Sequence, residues 1–176
     1  MNESATPRAT KVLLVAVLLV AGATVAWYAL AASSDDPRAA GAALLLLTLL
    51  FVGRVVGQVA VALAAPSWLP PMSQWNLLPY RYLLPIQAGF IAVMATVSAA
   101  FLRGTVDGLL TEPRRAVGAA VVAVSGVYAG AMAVRYAVRM KHRPGQRWFG
   151  GTIPIVFHWV LAAFLLVYGV YNLRAA

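Results

Sequence analysis

The chain has 176 residues, 62% of them hydrophobic and only 11% charged, with a mean hydropathy of +0.80. Soluble domains carry about 45–50% apolar and about 25% charged residues, whereas five membrane spans of about 20 residues each would occupy nearly this whole length and leave no room for a separate soluble domain. No cysteine is present, which excludes thiol catalysis, Fe–S ligation and cysteine-based zinc sites; the formal net charge of +9 is assigned to loops and helix ends meeting anionic lipid headgroups, not to nucleic acid.

The first span is expected over residues 12–32, preceded by Arg8 and Lys11. Its end, Ala29-Leu30-Ala31, has the small-residue pattern of a signal cleavage site, but about 20 apolar residues exceed the 7–15 of a signal h-region. It therefore reads as a retained helix, and the bundle has four helices if it is cleaved. The polar turn Ser33-Ser34-Asp35-Asp36 ends it, and Pro37 suits the start of the next helix because its missing N–H is not needed there.

The second span, 39–65, carries Arg54 and Gln58. The stretch from Pro66 to Pro85 follows, with Pro66, Pro70, Pro71, Pro79 and Pro85 among Trp68, Trp75, Tyr80 and Tyr82, and its loop is expected over 66–82. Proline at this density stops a helix, and Trp and Tyr favour the headgroup level. It reads as an ordered interfacial loop with room for a short helix. The third span is expected over 83–102, the fourth over 116–140 and the fifth over 151–171, with the polar connection Arg103 to Arg115 and the basic loop Lys141 to Arg147 between them. Trp148 and Phe149 anchor the start of the last span, and Tyr168, Tyr171 and Arg174 its far end. No internal repeat is visible, so an inverted-repeat transporter has no support.

Placing the N-terminus inside puts Arg8, Lys11, Arg81, Arg135, Arg139, Lys141, Arg143 and Arg147 on the inner side, against Arg38, Arg103, Arg114, Arg115 and Arg174 outside. The excess favours a cytoplasmic N-terminus in a multi-pass protein of the bacterial inner membrane. It also puts the Pro/Trp loop and the basic loop, 139–147, on the cytoplasmic side, where the latter meets anionic headgroups. Two GxxxG motifs, Gly53–Gly57 and Gly126–Gly130, are candidate close helix contacts.

All five acidic residues, Glu3, Asp35, Asp36, Asp107 and Glu112, fall in the tail or loops. Proton-coupled carriers normally use an intramembrane carboxylate, hard-cation sites need several, and carboxylate acid–base catalysis needs at least one. What remains inside the spans is cationic or neutral. Arg54 lies about 16 Å from the inner end of its helix, and Gln58, one turn on, shares its face. Its partner is a set of carbonyls and water at a helix break, an acid of another subunit, or an anionic or carbonyl-bearing ligand. Arg135, near the inner end of the fourth span, reads first as a residue snorkelling to the interface. His158 reads first as a packing histidine bonded to a neighbour. Bis-histidine haem is disfavoured because His142 is in the basic loop, leaving only a single-histidine pigment or haem as a cofactor. There is no HExxH, P-loop, Rossmann or Ser-His-Asp pattern.

Pro66-Ser67-Trp68-Leu69-Pro70-Pro71 resembles the Trp/Pro-rich loop of the tryptophan-rich sensory (translocator) protein family. Those proteins also have five helices, and the resemblance implies a lid over a pocket for porphyrin- or sterol-like ligands. In that family the loop follows the first helix and here the second, so the likeness serves as an analogy for a lid and not as membership.

The sequence thus predicts an all-α polytopic membrane helix bundle forming a single integral membrane domain over 1–176. If the polar faces converge, Arg54, Gln58, Gln87, Arg135 and His158 line one cytoplasm-facing cavity with Trp68 and Trp75 at its mouth. The expected function is non-catalytic binding of a lipid or amphipathic ligand there. The alternatives are an accessory subunit of a larger respiratory or photosynthetic complex, partnered by other membrane subunits, and a redox protein or enzyme using His158. No metal site is expected.

Overall fold

A computed structural model describes residues 8–30, 36–75, 80–104, 108, 110–142 and 149–176. The expectations for Glu3, Ser33 to Asp35, Pro79, Asp107, the loop from Arg143 to Arg147 and Trp148 lie outside these residues, as do those for the side chains of Tyr80 and Arg81. The described residues form α1 (Arg8–Leu30), α2 (Pro37–Ala64), α3 (Tyr80–Leu102), α4 (Arg115–His142) and α5 (Ile153–Arg174), with a 3-10 turn at Met72–Gln74 and no strand. All five α-helices are long and apolar enough to cross a membrane.

The boundaries follow local chemistry. Asp36 caps α2 by accepting a hydrogen bond from the Arg38 backbone N–H at 2.9 Å, with Pro37 in the first turn. The same helix closes on Ala65 in the left-handed region, φ 41°, whose N–H returns to the Val61 carbonyl, and Pro66 follows. α5 starts two residues later than expected, because Gly151 adopts φ 57° and breaks the helical path before Thr152. α1 and α4 run past the apolar stretches at their basic ends, to Arg8 and His142. One expectation is corrected: helix replaces loop from Tyr80, so Pro85 lies inside α3. A proline here removes one hydrogen bond, to the Arg81 carbonyl near the end of the helix, and leaves the rest intact.

α2 and α5 form the centre. Ile153, Ile155, Val156 and Phe157 are all buried, so the start of α5 is covered except on the side of the half-buried Pro154 and His158, and Val160, Phe164, Val167 and Tyr171 continue its core. α1 packs against both central helices, α3 leans on α2, and α4 leans on α5. α4 is the outlier: only Gly118 and Ser125 are buried along its 28 residues. α3 and α4 each pack on one central helix and not on each other, and a cleft lies between them.

Helix contact depends on small residues, but not on the two GxxxG motifs. Gly53, Gly126 and Gly130 face open space, and Gly57 receives the Trp75 ring, not a helix. The close approaches are Gly41 against the backbone of Phe101 and Leu102, and Gly118 against Gly169 and Leu173. Polar bonds reinforce each seam. Thr48 and Ser98 hydroxyls meet at 3.2 Å between α2 and α3. Between α4 and α5, Ser125 donates to the Ala162 carbonyl at 2.8 Å and Trp159 Nε1 donates to the Ala129 carbonyl at 3.1 Å.

The two ends of the bundle are tied separately. At one, Thr10 donates to the Trp68 carbonyl at 3.3 Å and Lys11 Nζ lies 5.8 Å from the Phe149 ring centroid. The start of α1 and the Pro/Trp loop therefore share an end. At the other, Arg174 donates to the Ala29 carbonyl, Tyr171 to that of Thr111, and the Arg114 backbone N–H to Asn172 Oδ1.

Candidate functional site

Arg54 sits ten residues before the last residue of α2, about 15 Å along the axis. It is 8% exposed. Its Nη1 donates to Gln58 Oε1 and its Nη2 to the Trp75 carbonyl, both at 3.4 Å, and the guanidinium lies 5.8 Å from the Phe157 ring centroid. Charge-assisted bonds normally run about 2.7–2.9 Å, so both contacts are long, and a guanidinium has five N–H donors to place. α2 is unbroken here. The carbonyl arrives on the loop, which folds back so that Trp75 is buried, with its ring against Gly57 and its Nε1 donating to the Pro70 carbonyl at 3.0 Å.

Gln58 is fully buried behind Arg54 and also accepts from Gln87 Nε2 at 3.0 Å. That bond links α2 to α3 and leaves Gln87 Oε1 buried with no hydrogen-bond partner among the described residues. His158 engages Tyr128: its Nδ1 is 2.6 Å from the phenol oxygen, with the rings edge to face. This matches the packing role read from sequence, since it ties α4 to α5. Arg135, half-buried on α4, has no hydrogen bond or ion pair among the described residues.

These side chains meet at the cleft between α3 and α4, a space of about 420 Å³. Arg54, Trp75, Gln87, Arg135 and His158 line it, with an apolar surround that includes Ile86, Phe90, Phe157 and Leu161. No carboxylate among the described residues lines it: the acids there, Asp36 and Glu112, precede α2 and α4 and lie beyond the far ends of those helices from Trp75. Of the residues singled out in the sequence, five share the cleft. Gln58 stands behind it, holding Arg54 and Gln87 in place. Trp68 is not in it: it is 58% exposed and borders a second cleft of about 390 Å³, between α1 and α2, with Leu13, Val17 and Gly53. Arg54, Trp75 and Phe157 line both clefts and so form the partition between them.

The sequence reading missed Phe157, Tyr128 and the apolar walls. Phe157 carries no local signal, being one of many apolar residues in α5; its value comes from facing Arg54 across helices. Among the described residues no three histidine or carboxylate side chains cluster as metal ligands. No known family model, characterised protein or solved structure matches the chain.

Proposed function

We propose that this is a non-catalytic integral membrane protein that holds a lipid or other amphiphile in the α3–α4 cleft. Its N-terminus is cytoplasmic in this reading, in a bacterial inner membrane, and the cleft faces that side. The observation that carries it is the pairing of two arginines with an apolar cleft that no acid among the described residues lines. The volume of about 420 Å³ falls in the usual range for ligand sites, about 300–1,000 Å³. The apolar part of the ligand runs along Ile86, Phe90 and Leu161, and its polar end meets Arg54 and Arg135. Trp75 closes one wall, carried by the loop and tied to Arg54 through its backbone carbonyl.

The test is mass spectrometry of what leaves the membrane with the protein. Ile86 lines the cleft and is 49% exposed, so Ile86→Trp fills the space with little disturbance of the core. Native protein should carry about one tightly held amphiphile per chain, and Ile86→Trp should lose most of it. Equal contents in both would overturn the reading.

A second reading, as a subunit of a larger membrane assembly, is supported by α4. Ala119, Ala123, Gly126, Gly130, Ala133 and Ala137 are all exposed and follow one another at alternating steps of four and three residues. Such a stripe lets another helix approach closely. Native-size measurement in a gentle detergent tests it. Gly130→Leu should reduce the assembly toward the mass of the single 18.6 kDa chain; a native mass of one chain, or an assembly that Gly130→Leu leaves unchanged, removes this stripe as the interface.

A further inference from the structure

We infer that the cleft selects an anionic lipid whose phosphodiester is flanked by a neutral hydroxyl, as in a glycerol headgroup. This rests on the cleft-binding reading above and narrows it to one headgroup chemistry.

The anionic part follows from the arginines. Arg54 is buried with two neutral oxygen acceptors, both at 3.4 Å. Arg135 lines the same cleft without a partner among the described residues. Two guanidinium groups in an apolar cleft that no acid among the described residues lines leave donors that match phosphate oxygens bidentately. A zwitterionic headgroup would bring a further cation beside them, which like-charge repulsion opposes.

The hydroxyl follows from Gln87, a separate observation. This residue lines the cleft, is 3% exposed, and has spent its amide N–H on Gln58. Its Oε1 is buried with no partner among the described residues, a state that costs free energy until a donor arrives. A phosphodiester has no proton to give. Neither does a fatty carboxylate, so each of these satisfies the arginines and leaves Gln87 as it was. A headgroup hydroxyl next to the phosphate carries such a donor and reaches Oε1 once the Gln87 amide turns toward the cleft it lines. Free inorganic phosphate satisfies the charges too, but leaves Ile86, Phe90 and Leu161 uncovered.

The experiment is a native mass-spectrometry titration of delipidated full-length protein with four probes: dioleoyl phosphatidylglycerol, dioleoyl phosphatidylmethanol, dioleoyl phosphatidylcholine and inorganic phosphate. Phosphatidylmethanol keeps the phosphodiester and lacks the hydroxyl. Phosphatidylglycerol should bind about tenfold more tightly than phosphatidylmethanol, the scale of one buried hydrogen bond, and phosphatidylcholine should bind more weakly than either. Inorganic phosphate should neither bind measurably nor compete; if it displaces phosphatidylglycerol at equal concentration, the ligand is the free anion and the lipid proposal falls. Gln87→Leu should abolish the preference for the hydroxyl while retaining phosphatidylmethanol binding, and Arg135→Gln should weaken both anionic lipids about tenfold. Should Gln87→Leu fail to fold, the comparison of the first two lipids on the native chain decides alone. Equal binding of the three lipids, saturable and lost in Ile86→Trp, overturns the headgroup inference and keeps the cleft reading. Binding that Ile86→Trp leaves unchanged overturns both.

Discussion

Arg54→Leu should leave the delipidated bundle as stable as before, within about 1 kcal/mol, while emptying the cleft of anionic amphiphile. The two effects separate because Arg54 is poorly used within the chain. A central arginine costs at least about 2.5–3.5 kcal/mol on membrane-insertion scales, and in return this one makes two bonds of 3.4 Å to neutral oxygens. A typical hydrogen bond contributes about 0.5–1.5 kcal/mol net, and bonds this long lie at the low end. The substitution relieves the first cost and forfeits the second contribution. Gln58 keeps its 3.0 Å bond from Gln87, so the α2–α3 link survives, and leucine fills the space beside Phe157. Binding loses its deepest cation, and an affinity loss of tenfold or more is expected. Delipidation matters, because a ligand bound only to the folded state adds apparent stability. Thermal unfolding of delipidated protein, paired with lipid mass spectrometry of the native preparation, provides both readouts. A drop of several kcal/mol with lipid content unchanged would make Arg54 a bolt for the Trp75 loop and remove it from the site.

The same residue shows what a sequence can reveal about such a chain. The spans were legible because a bilayer demands about 20 apolar residues each, and α1 to α5 follow that pattern to within a few residues. Arg54 stood out because charge inside a span is costly, and its convergence with Gln87, Arg135 and His158 follows from polar residues sharing one end of an apolar bundle. The contacts that define the cleft were not legible. Which face of an almost wholly apolar helix turns inward depends on packing, since α2 and α5 have apolar residues all round. So Phe157 could not be told from its neighbours, nor Tyr128 matched to His158. Trp68 and Trp75 looked alike in composition, yet one is exposed and the other buried. The difference lies in Gly57, which makes room for the Trp75 ring. The GxxxG spacing is silent for a related reason: it marks where a helix can approach, and within the single chain neither motif meets another helix among the described residues.

Gly118→Leu should cost about 3 kcal/mol and loosen α4 from the bundle. A Cβ at Gly118 would lie 2.8 Å from the Leu173 backbone nitrogen and 2.9 Å from the Gly169 carbonyl oxygen, and the reciprocal Cβ at Gly169 would lie 3.0 Å from the Val122 nitrogen. These neighbours are mostly backbone, which cannot turn aside like a side chain. The helices must separate, and overpacking of this kind costs about 1–3 kcal/mol even where side chains share the strain. α4 has few other resources, because its packing is almost entirely against α5. Separation at Gly118 also stretches the bonds farther along the seam, from Ser125 to Ala162, from Tyr128 to His158 and from Trp159 to Ala129, each worth about 0.6 kcal/mol in a membrane bundle. Gly126→Leu is the internal control: it changes the same residue type in the same helix, but Gly126 faces open space, so the stability of the single chain should change by less than about 0.5 kcal/mol. Unfolding of both variants in mixed micelles compares them directly. The chain has no native cysteine, so a cysteine pair across α4 and α5 can report the separation without background. Equal stability of Gly118→Leu and Gly126→Leu would mean that α4 is not seated on α5 through this crossing. The wall of the cleft that Arg135 provides would then have to be placed anew, because the position of that arginine beside Arg54 depends on the same seam.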